Sequence, residues 1–459
     1  MKIGLQTWGS EGDIRPFTSL AAGLKLAGHD VTLVVTDNAG RDYSELANRY
    51  GYTLKALPGP IILNQEEAAK IWQAIIDVGN PIKQAEMIMT HGFDPVMESM
   101  YSAAQELCAE NELVIGHFFV FPLRVAAEMA KVPMATVNIV HNCIPSDFTC
   151  PPGLPDLGNW FYPWGWKLVR MMINRIFLPR VNSLRSREGL IQDTDVMTQT
   201  WAAERLNLLA VSPSICNRPK DWDERHQVCG FLNPPQENRK EIWPEGLDAF
   251  IAGGSPPVYF TFGSMMLSDL AEIRKTLSIW QKTIEMLECR AIVQVPWDDL
   301  SAFETKQNVF MVNRSPYAEV FPRCAAIVHH GGAGTTQSSL LAGKPSVIVA
   351  HMADQTFWGA ELKRLGVAGD TLQRKSLTAQ KLAKGIAFVL NDSTMPKKAT
   401  AIGQTMVGED GVKRAIQLVE RIFMCPPFQD LNSQPSAQPG QKTARSASAP
   451  LVGFSKLKG

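Results

Sequence analysis

The stretch Ala325–Leu341, AAIVHHGGAGTTQSSLL, combines residue types that can bind an anion. An apolar run typical of a buried strand leads into His329 and His330, then into a loop with three glycines, then into a helix predicted to open on Thr335 and Thr336. Glycines let backbone N–H groups approach phosphate oxygens, and the positive end of a helix dipole attracts negative charge. The pattern predicts a phosphate site; its structural alternative is a glycine-rich turn with two buried histidines.

Two shorter segments follow predicted strands at their carboxyl ends, where open α/β sheets bind ligands. FTFGSMM places Gly263 and Ser264 after a strand predicted over Val258–Phe262. HMADQTFWG places Asp354 and Gln355 after another predicted strand, at the start of a helix. An acid beside an amide can bind several sugar hydroxyls, and the alternative for Asp354 is an ordinary helix N-cap.

The elements that must position these residues form two similar series. Strands are predicted at Lys2–Trp8, Val31–Val35 and Leu113–Ile115, and the alternation restarts at Val258 after a proline-bearing linker at Asn233–Lys240. Short apolar strands that alternate with helices indicate parallel sheets covered on both faces. In the first series a loop over residues 9–15 precedes a helix that should begin at its proline, residue 16. The composition after residue 430 predicts a disordered tail over 430–459.

The composition excludes some partners and compartments. The 45 Lys+Arg balance 45 Asp+Glu, which argues against nucleic-acid binding. The eight cysteines contain no C-x-x-C pair, and no signal-like or membrane-spanning run is present, so we expect a cytoplasmic protein. The stretch Pro151–Met172 is rich in Trp, Met, Pro and Gly without a clear period. It is open to three interpretations: the lining of an apolar cleft, a contact with a membrane surface, or an irregular packed insertion.

The order of GSEGDIRPF, FTFGS, HHGGAGTT and DQTFWG resembles the family-1 glycosyltransferases of the GT-B fold, most of all sterol glucosyltransferases and those of vancomycin-group antibiotics. The resemblance covers about residues 1–425. It implies two Rossmann-like α/β domains whose parallel sheets face each other across a cleft. An acceptor-binding domain would occupy 1–235 and a nucleotide-sugar-binding domain 241–425, with a last helix at about 410–423 that packs back on the first domain.

The resemblance also implies the donor site. UDP-glucose would be the co-substrate, with no cofactor and no metal. The residues implied to hold its diphosphate are Gly263, Ser264, His330, Gly332, Ala333, Gly334 and Thr335. Asp354 and Gln355 would contact the hexose, and the acceptor would be an apolar small molecule such as a sterol, polyketide or flavonoid.

The base of the family maps by resemblance onto Asp13, three residues before the loop proline. An aspartate at the end of a strand can accept the proton of a hydroxyl, and it can also cap the following helix. His117 falls near the position of the acid that supports the base in the plant branch, so a swapped Asp–His pair is one interpretation. The other is a satisfied core histidine.

The chain departs from the family pattern in three places. Glu11 stands where the sterol branch usually has arginine, Ala350 where a proline commonly precedes the DQ segment, and Asn313–Tyr317 lacks the base-stacking tryptophan of the plant branch. Two D-x-D triplets, at 193–195 and 221–223, suggest metal binding on another fold, but the second resembles a structural segment of this family. The nucleotide is therefore less firmly predicted than the diphosphate site.

The sequence thus predicts an inverting glycosyltransferase that uses a UDP-sugar, with peripheral membrane contact and oligomeric state left open. Two alternatives remain: a UDP-sugar 2-epimerase, which shares the fold, and an inactive homologue that binds sugar or lipid.

Overall fold

The computed structural model describes residues 1–38, 40–60, 65–233, 243–265, 270–295 and 306–424. Residues 1–424 form one compact unit that contains two parallel sheets. The tail predicted at 430–459 and most of the predicted linker lie outside the described residues, and the predicted domain boundaries stay predictions.

The first sheet has seven parallel strands. They are β1 (Lys2–Gly9), β2 (Asp30–Asp37), β3 (Thr53–Leu57), β4 (Leu113–His117), β5 (Met134–Asn138), β6 (Asn207–Leu209) and β7 (His226–Val228). Their order across the sheet is β3-β2-β1-β4-β5-β6-β7. The helices that connect them are α1 (Glu11–Leu26), α2 (Ser44–Tyr50), α3 (Gln65–Val78), α4 (Pro81–Ile88), α5 (Met97–Glu110), α6 (Phe121–Ala130) and α7 (Tyr162–Arg187).

The second sheet has six parallel strands. They are β8 (Val258–Phe260), β9 (Ala291–Gln294), β10 (Val309–Val312), β11 (Ala326–His329), β12 (Ser346–Ala350) and β13 (Leu372–Gln373), in the order β10-β9-β8-β11-β12-β13. Its helices are α8 (Leu247–Ala252), α9 (Leu270–Leu287), α10 (Tyr317–Val320), α11 (Ala333–Leu341), α12 (Ala353–Arg364), α13 (Ala379–Asn391) and α14 (Met395–Val407). The predicted α/β class with two parallel sheets is confirmed.

The last described helix, α15 (Gly411–Phe423), packs on the first sheet's side of the molecule. Ala415, Leu418 and Val419 are buried in one hydrophobic cluster with Ile14 and Phe17 of α1. The chain therefore returns from the second sheet to the first. No helix in the described part of the chain has the length and hydropathy that a membrane-spanning helix requires.

Two sequence predictions of local structure are wrong. Helix α1 begins at Glu11 and not at Pro16, which lies inside the helix. The cause is Ser10, whose extended backbone starts the helix and whose carbonyl accepts the N–H groups of Asp13 and Ile14. Asp13 therefore lies in the first helical turn rather than in a loop.

The second correction concerns the Trp-rich stretch, in which α7 begins at Tyr162 and runs for 26 residues. The interpretation as an irregular insertion thus holds only up to Phe161. Trp166 is buried in the core of the first sheet, whereas Trp160, Trp164 and Met171 are exposed, so these side chains do not line one common cleft.

Candidate active site

The Asp13 carboxylate has two oxygens with different surroundings. Oδ2 accepts hydrogen bonds from the backbone N–H of Ser10, at 2.7 Å, and from its hydroxyl, at 3.0 Å. Oδ1 lies 3.6 Å from Nε2 of His117. Asp13 therefore stabilises the start of α1 with one oxygen and presents the other to the histidine, so both roles weighed from the sequence are compatible.

Gly9 makes room for this carboxylate. It has a φ of +135°, and a Cβ atom there would lie 2.4 Å from Oδ2 of Asp13. Any other residue would be strained and would collide with the carboxylate. From the sequence, Gly9 was predicted only as part of a loop. Its position between a predicted strand and an acidic residue was the signal that could have indicated its role.

His117 ends β4 and is fixed in one tautomer by its neighbours. The backbone N–H of Phe119 points to its Nδ1 at 3.4 Å, so Nδ1 is the acceptor and Nε2 carries the proton. Within the described part of the chain, Nε2 has no hydrogen-bond partner. The rings of Phe17, Phe118 and Phe119 surround the imidazole. Its N–H therefore has the Asp13 carboxylate as a neighbour, at 3.6 Å and beyond hydrogen-bond distance.

Burial changes the protonation of both members of the pair. It raises the pKa of Asp13 to about 6, and the negative charge of Asp354 adds to the rise. Burial lowers the pKa of His117 to about 3. At neutral pH the pair is therefore an aspartate beside a neutral histidine, and the aspartate is more basic than an ordinary carboxylate.

The glycine loop of the second sheet joins β11 to α11. Gly332 is the N-cap of α11, so the helix begins at Ala333, two residues before the predicted Thr335. A Cβ at Gly332 would lie 2.3 Å from Nε2 of His330, whereas a Cβ at Gly334 would meet nothing within 4 Å. The loop therefore packs on the histidine at one side and leaves open space at the helix N-terminus, as an anion site requires.

His330 is the titratable group of this loop. It is 7% exposed, and its Nδ1 has no hydrogen-bond partner among the residues that the structure describes. A Cβ built on Gly263 would lie 3.1 Å from this ring and 3.9 Å from the Thr335 hydroxyl, so the three residues meet at one point. Burial lowers the pKa of His330 to about 4. The neutral histidine thus offers a hydrogen bond and not a positive charge.

The first turn of α12 contains the other two predicted donor residues. Asp354 is exposed, and Gln355 is 2% exposed. The side-chain oxygen of Gln355 accepts the N–H groups of His351, at 2.7 Å, and Met352, at 3.2 Å. Gln355 and not Asp354 therefore caps this helix with its amide oxygen, which leaves the amide N–H₂ for a ligand.

The two sheets bring their predicted residues to one junction. The charge of Asp354 acts on Asp13, and the charges of Glu11 and Arg15 act on the hydroxyl of Tyr317. The start of α1 thus faces the carboxyl ends of the second sheet. Tyr317 lies in the stretch that lacks the stacking tryptophan, and its ring stacks on Phe321 at 4.2 Å between centroids.

A cavity of about 370 Å³ lies between α3 and the second sheet. Phe262 and His351 line the cavity on the side of the second sheet, and Gln73 and Asp77 line it on the side of α3. Arg374, which the sequence analysis missed, lines the same cavity and lies over the Phe262 ring at 5.6 Å. Its position at the end of the two-residue strand β13 left no motif to find it by.

One further missed residue joins the donor loop to the first sheet. Gln337 of α11 is buried, its amide oxygen accepts the N–H of Ser212 at 2.9 Å, and its amide N–H₂ donates to the carbonyl of Ala210 at 3.1 Å. The helix with the predicted phosphate site is thereby attached to the end of β6.

Some predicted residues stand apart from the site or outside the description. The side chain of Ser264 is not among the described atoms, although Gly263–Met265 forms a 3₁₀ turn. The D-x-D carboxylates are engaged elsewhere: Asp193 and Asp195 face Arg185 and Arg170, at 3.3 and 3.0 Å. Asp221 accepts the hydroxyl of Ser146. Among the described residues no group of three His, Cys, Asp or Glu side chains has a metal-binding arrangement.

The chain is similar to known proteins over most of its length. Residues 286–420 match the family model of the erythromycin biosynthesis protein CIII-like C-terminal domain. A sterol 3-beta-glucosyltransferase of Arabidopsis thaliana is 28% identical over 445 residues, which cover 92% of this chain and 68% of the plant protein. The O-mycaminosyltylonolide 6-deoxyallosyltransferase of Streptomyces fradiae is 27% identical over 457 residues, which cover 92% of this chain and 97% of that protein.

Among solved structures, the glycosyltransferase VinC in complex with DTDP matches with a TM-score of 0.62 and 19% identity, over 92% of this chain and all of VinC (100%). This likeness shows the fold. The matches together confirm the resemblance to the family-1 glycosyltransferases and the GT-B fold.

Proposed function

We propose that the chain is an inverting glycosyltransferase that moves a hexose from a nucleoside-diphosphate sugar to a hydroxyl of an apolar acceptor. UDP-glucose is the first donor to test, because relatives include a sterol glucosyltransferase. The acceptor class follows from the sterol and macrolide-type substrates in the relatives' names and is a proposal for this chain.

The observation that carries the proposal is the Asp13–His117 pair at the junction with the donor loop. An aspartate whose pKa is raised to about 6 is ionised at neutral pH and still basic enough to share a proton with an alcohol in the transition state. The oxygen near His117 is free of the cap hydrogen bonds, and the histidine Nε2 lies 3.6 Å from it. His117 is therefore a positioning residue, and Asp13 is the proposed base.

The leaving group would be received by the second sheet. The N-terminus of α11 lies beside open space at Gly334, and the Thr335 hydroxyl and the His330 ring lie close to Gly263. Donors that are already in place stabilise the charge that develops on a departing diphosphate. Asp354 and the Gln355 amide would hold hexose hydroxyls. Attack from the Asp13 side and departure on the α11 side give inversion at the anomeric carbon.

The two alternatives, a UDP-sugar 2-epimerase and an inactive binding homologue, differ from a transferase in what happens to the nucleotide sugar. The matches described above are glycosyltransferases, so they give no support to a UDP-sugar 2-epimerase. An inactive binding homologue would bind the donor without transferring its sugar.

The test is incubation of the protein with UDP-glucose and a sterol, with dTDP-glucose in a parallel reaction. We expect a glycoside in the mass spectrum, and an anomeric proton coupling that shows the β-configuration by NMR. A 2-epimerised nucleotide sugar formed without acceptor would establish the epimerase instead. Donor binding without product from any of a panel of sterols, polyketides and flavonoids would establish the inactive homologue.

A further inference from the structure

Helix α7 and Trp160, which lies two residues before the helix, present exposed apolar side chains. Trp160 is 74% exposed, Trp164 66%, Leu168 41% and Met171 62%. Residues 164, 168 and 171 share one face of the helix because they are spaced by four and three positions. We call these four residues the α7 stripe. Two tryptophans four residues apart that are both more than half exposed are unusual for a surface in contact with water alone.

The opposite face of α7 is packed in the protein core, so the helix cannot rotate to bury the stripe. Trp166, Val169 and Phe177 are buried in the core of the first sheet. The indole N–H of Trp166 donates to the carbonyl of Thr149 at 3.0 Å, which fixes the rotation of the helix. The α7 stripe is therefore a surface of the folded protein.

Helix α7 itself carries charges of one sign, and the exposed Asp156, which accepts the hydroxyl of Tyr162 at 2.7 Å, is an acid beside its first turn. Helix α7 contains six Lys or Arg residues and no Asp or Glu. Four of them form ion pairs with acids on other elements: Arg170, Arg180, Arg185 and Arg187. The two others, Lys167 and Arg175, are exposed beside the stripe and form no ion pair with another described residue. Lys167 places its ammonium 4.6 Å from the centre of the Trp164 ring.

A second aromatic–ammonium pair lies in the loop that packs on α7. Phe148 is 43% exposed, and the ammonium of Lys220 lies 4.4 Å from its ring centre. The loop is joined to the helix through the Trp166–Thr149 hydrogen bond. The surface thus combines aromatic rings with ammonium groups at two places, and neither ammonium forms an ion pair within the described part of the chain.

We propose that the α7 stripe docks on an anionic lipid bilayer. Tryptophan rings lie favourably at the level of lipid headgroups, and leucine and methionine side chains enter the acyl boundary. Lys167 and Arg175 then face the headgroup phosphates, and their long side chains can reach them from beside the rings. A second copy of the chain fits less well, because paired stripes would bring four unpaired cations together with no acid on either helix. The proposal goes beyond sugar transfer and does not depend on it.

The experiment is co-sedimentation of the full chain with phosphatidylcholine vesicles, prepared with and without phosphatidylserine. We expect the wild type to bind the anionic vesicles. Trp160→Ser with Trp164→Ser should weaken this binding about tenfold or more, because two large side chains lose their transfer from water. Lys167→Glu with Arg175→Glu should weaken it about tenfold on anionic vesicles and leave the weaker binding to neutral vesicles unchanged.

Matched controls lie on the second sheet's helices. Phe388 is 55% exposed on α13, so Phe388→Ser removes an exposed aromatic ring elsewhere. Lys384→Glu with Lys397→Glu reverses two exposed charges there. Both controls should bind vesicles as the wild type does. A wild type that fails to bind, or a tryptophan variant that binds as well as the wild type, would refute the docking surface. A wild-type dimer that the tryptophan variant dissociates, measured by light scattering, would assign the stripe to a second copy instead.

Discussion

At the junction between the two sheets, the two sides control the charge of their groups by different physical means. On the first sheet, burial among aromatic rings raises the pKa of Asp13 and lowers that of His117, so the titratable pair is tuned by removal of water. On the second sheet, the glycine loop offers backbone N–H groups, a hydroxyl and a neutral histidine around open space. The comparison teaches that one side is built to accept a proton, and the other to receive negative charge without a charged side chain.

The largest effect should come from Asp13→Asn. Asparagine keeps the size and an oxygen for the Ser10 hydrogen bonds but cannot accept a proton at neutral pH. If Asp13 is the base, the turnover of the variant should fall by roughly 10²–10⁴, while its affinity for the nucleotide-sugar donor stays as in the wild type. Glu11→Gln, in the same turn and paired with Arg41, is the control and should be nearly silent. Near-wild-type turnover of Asp13→Asn would leave Asp13 as a helix cap only.

The same variant should change stability in a pH-dependent way. The pKa of Asp13 is raised from 3.8 to about 6, so folding disfavours its ionised form. This penalty is complete above about pH 6 and disappears below about pH 4, where the carboxyl is protonated in both the folded and the unfolded state. Asp13→Asn should therefore raise the free energy of unfolding by about 1–3 kcal/mol at neutral pH and by nothing near pH 4. Urea unfolding at the two pH values measures the difference; an equal change at both would show that burial of the charge is not its cause.

His330→Ala tests the other side. It removes an N–H donor to a charged ligand, a bond worth roughly 1.5–3 kcal/mol, so UDP should bind roughly 10- to 100-fold more weakly. Isothermal titration measures the affinity, and turnover should fall with it. His91→Ala, an exposed histidine of the first half, is the control. Unchanged affinity for UDP would remove His330 from the donor site.

His117→Gln separates a positioning residue from a core histidine. We expect turnover to fall about tenfold. If the N–H of His117 closes on Asp13 during the reaction, the acid limb of the kcat/KM profile should move to higher pH in the variant, because the ionised Asp13 then loses a donor. His226→Gln, another buried histidine of the same sheet, should affect stability alone. A loss of stability without a shift of the pH profile would make His117 a core residue.

The smallest expected effect is that of metal removal. Both sides of the junction act through side chains, backbone N–H groups and a helix terminus, so we expect EDTA to leave turnover unchanged. Activity that EDTA abolishes and Mg²⁺ or Mn²⁺ restores would contradict the proposed metal-independent step.

The sequence predicted the two sheets because their strands are short apolar runs between clear helices. It also placed Asp13 near His117, which the structure finds 3.6 Å apart, through the family resemblance. It missed the start of α1, because Pro16 indicated a first helical position and the Ser10–Asp13 cap was stronger. It missed Arg374, which lies in no motif, and it gave no role to Gln337, although this residue lies within the glycine-loop stretch. Each matters through contacts between segments far apart in the chain. The electrostatic state of His330 depends on burial, which spacing cannot show.

The bridge made by Gln337 has a mechanical consequence. One amide group holds two backbone groups of the first sheet, and all of these polar atoms are enclosed. Pulling the sheets directly apart would break both bonds at once and leave buried partners unmade, at about 1–3 kcal/mol each. Two more hydrogen bonds join the same segments: Arg364 donates to the carbonyl of Ile215 at 2.7 Å, and the hydroxyl of Ser212 donates to Glu409 at 2.8 Å. Separation of the two sheets at this place should therefore be cooperative, because all of these bonds have to break together.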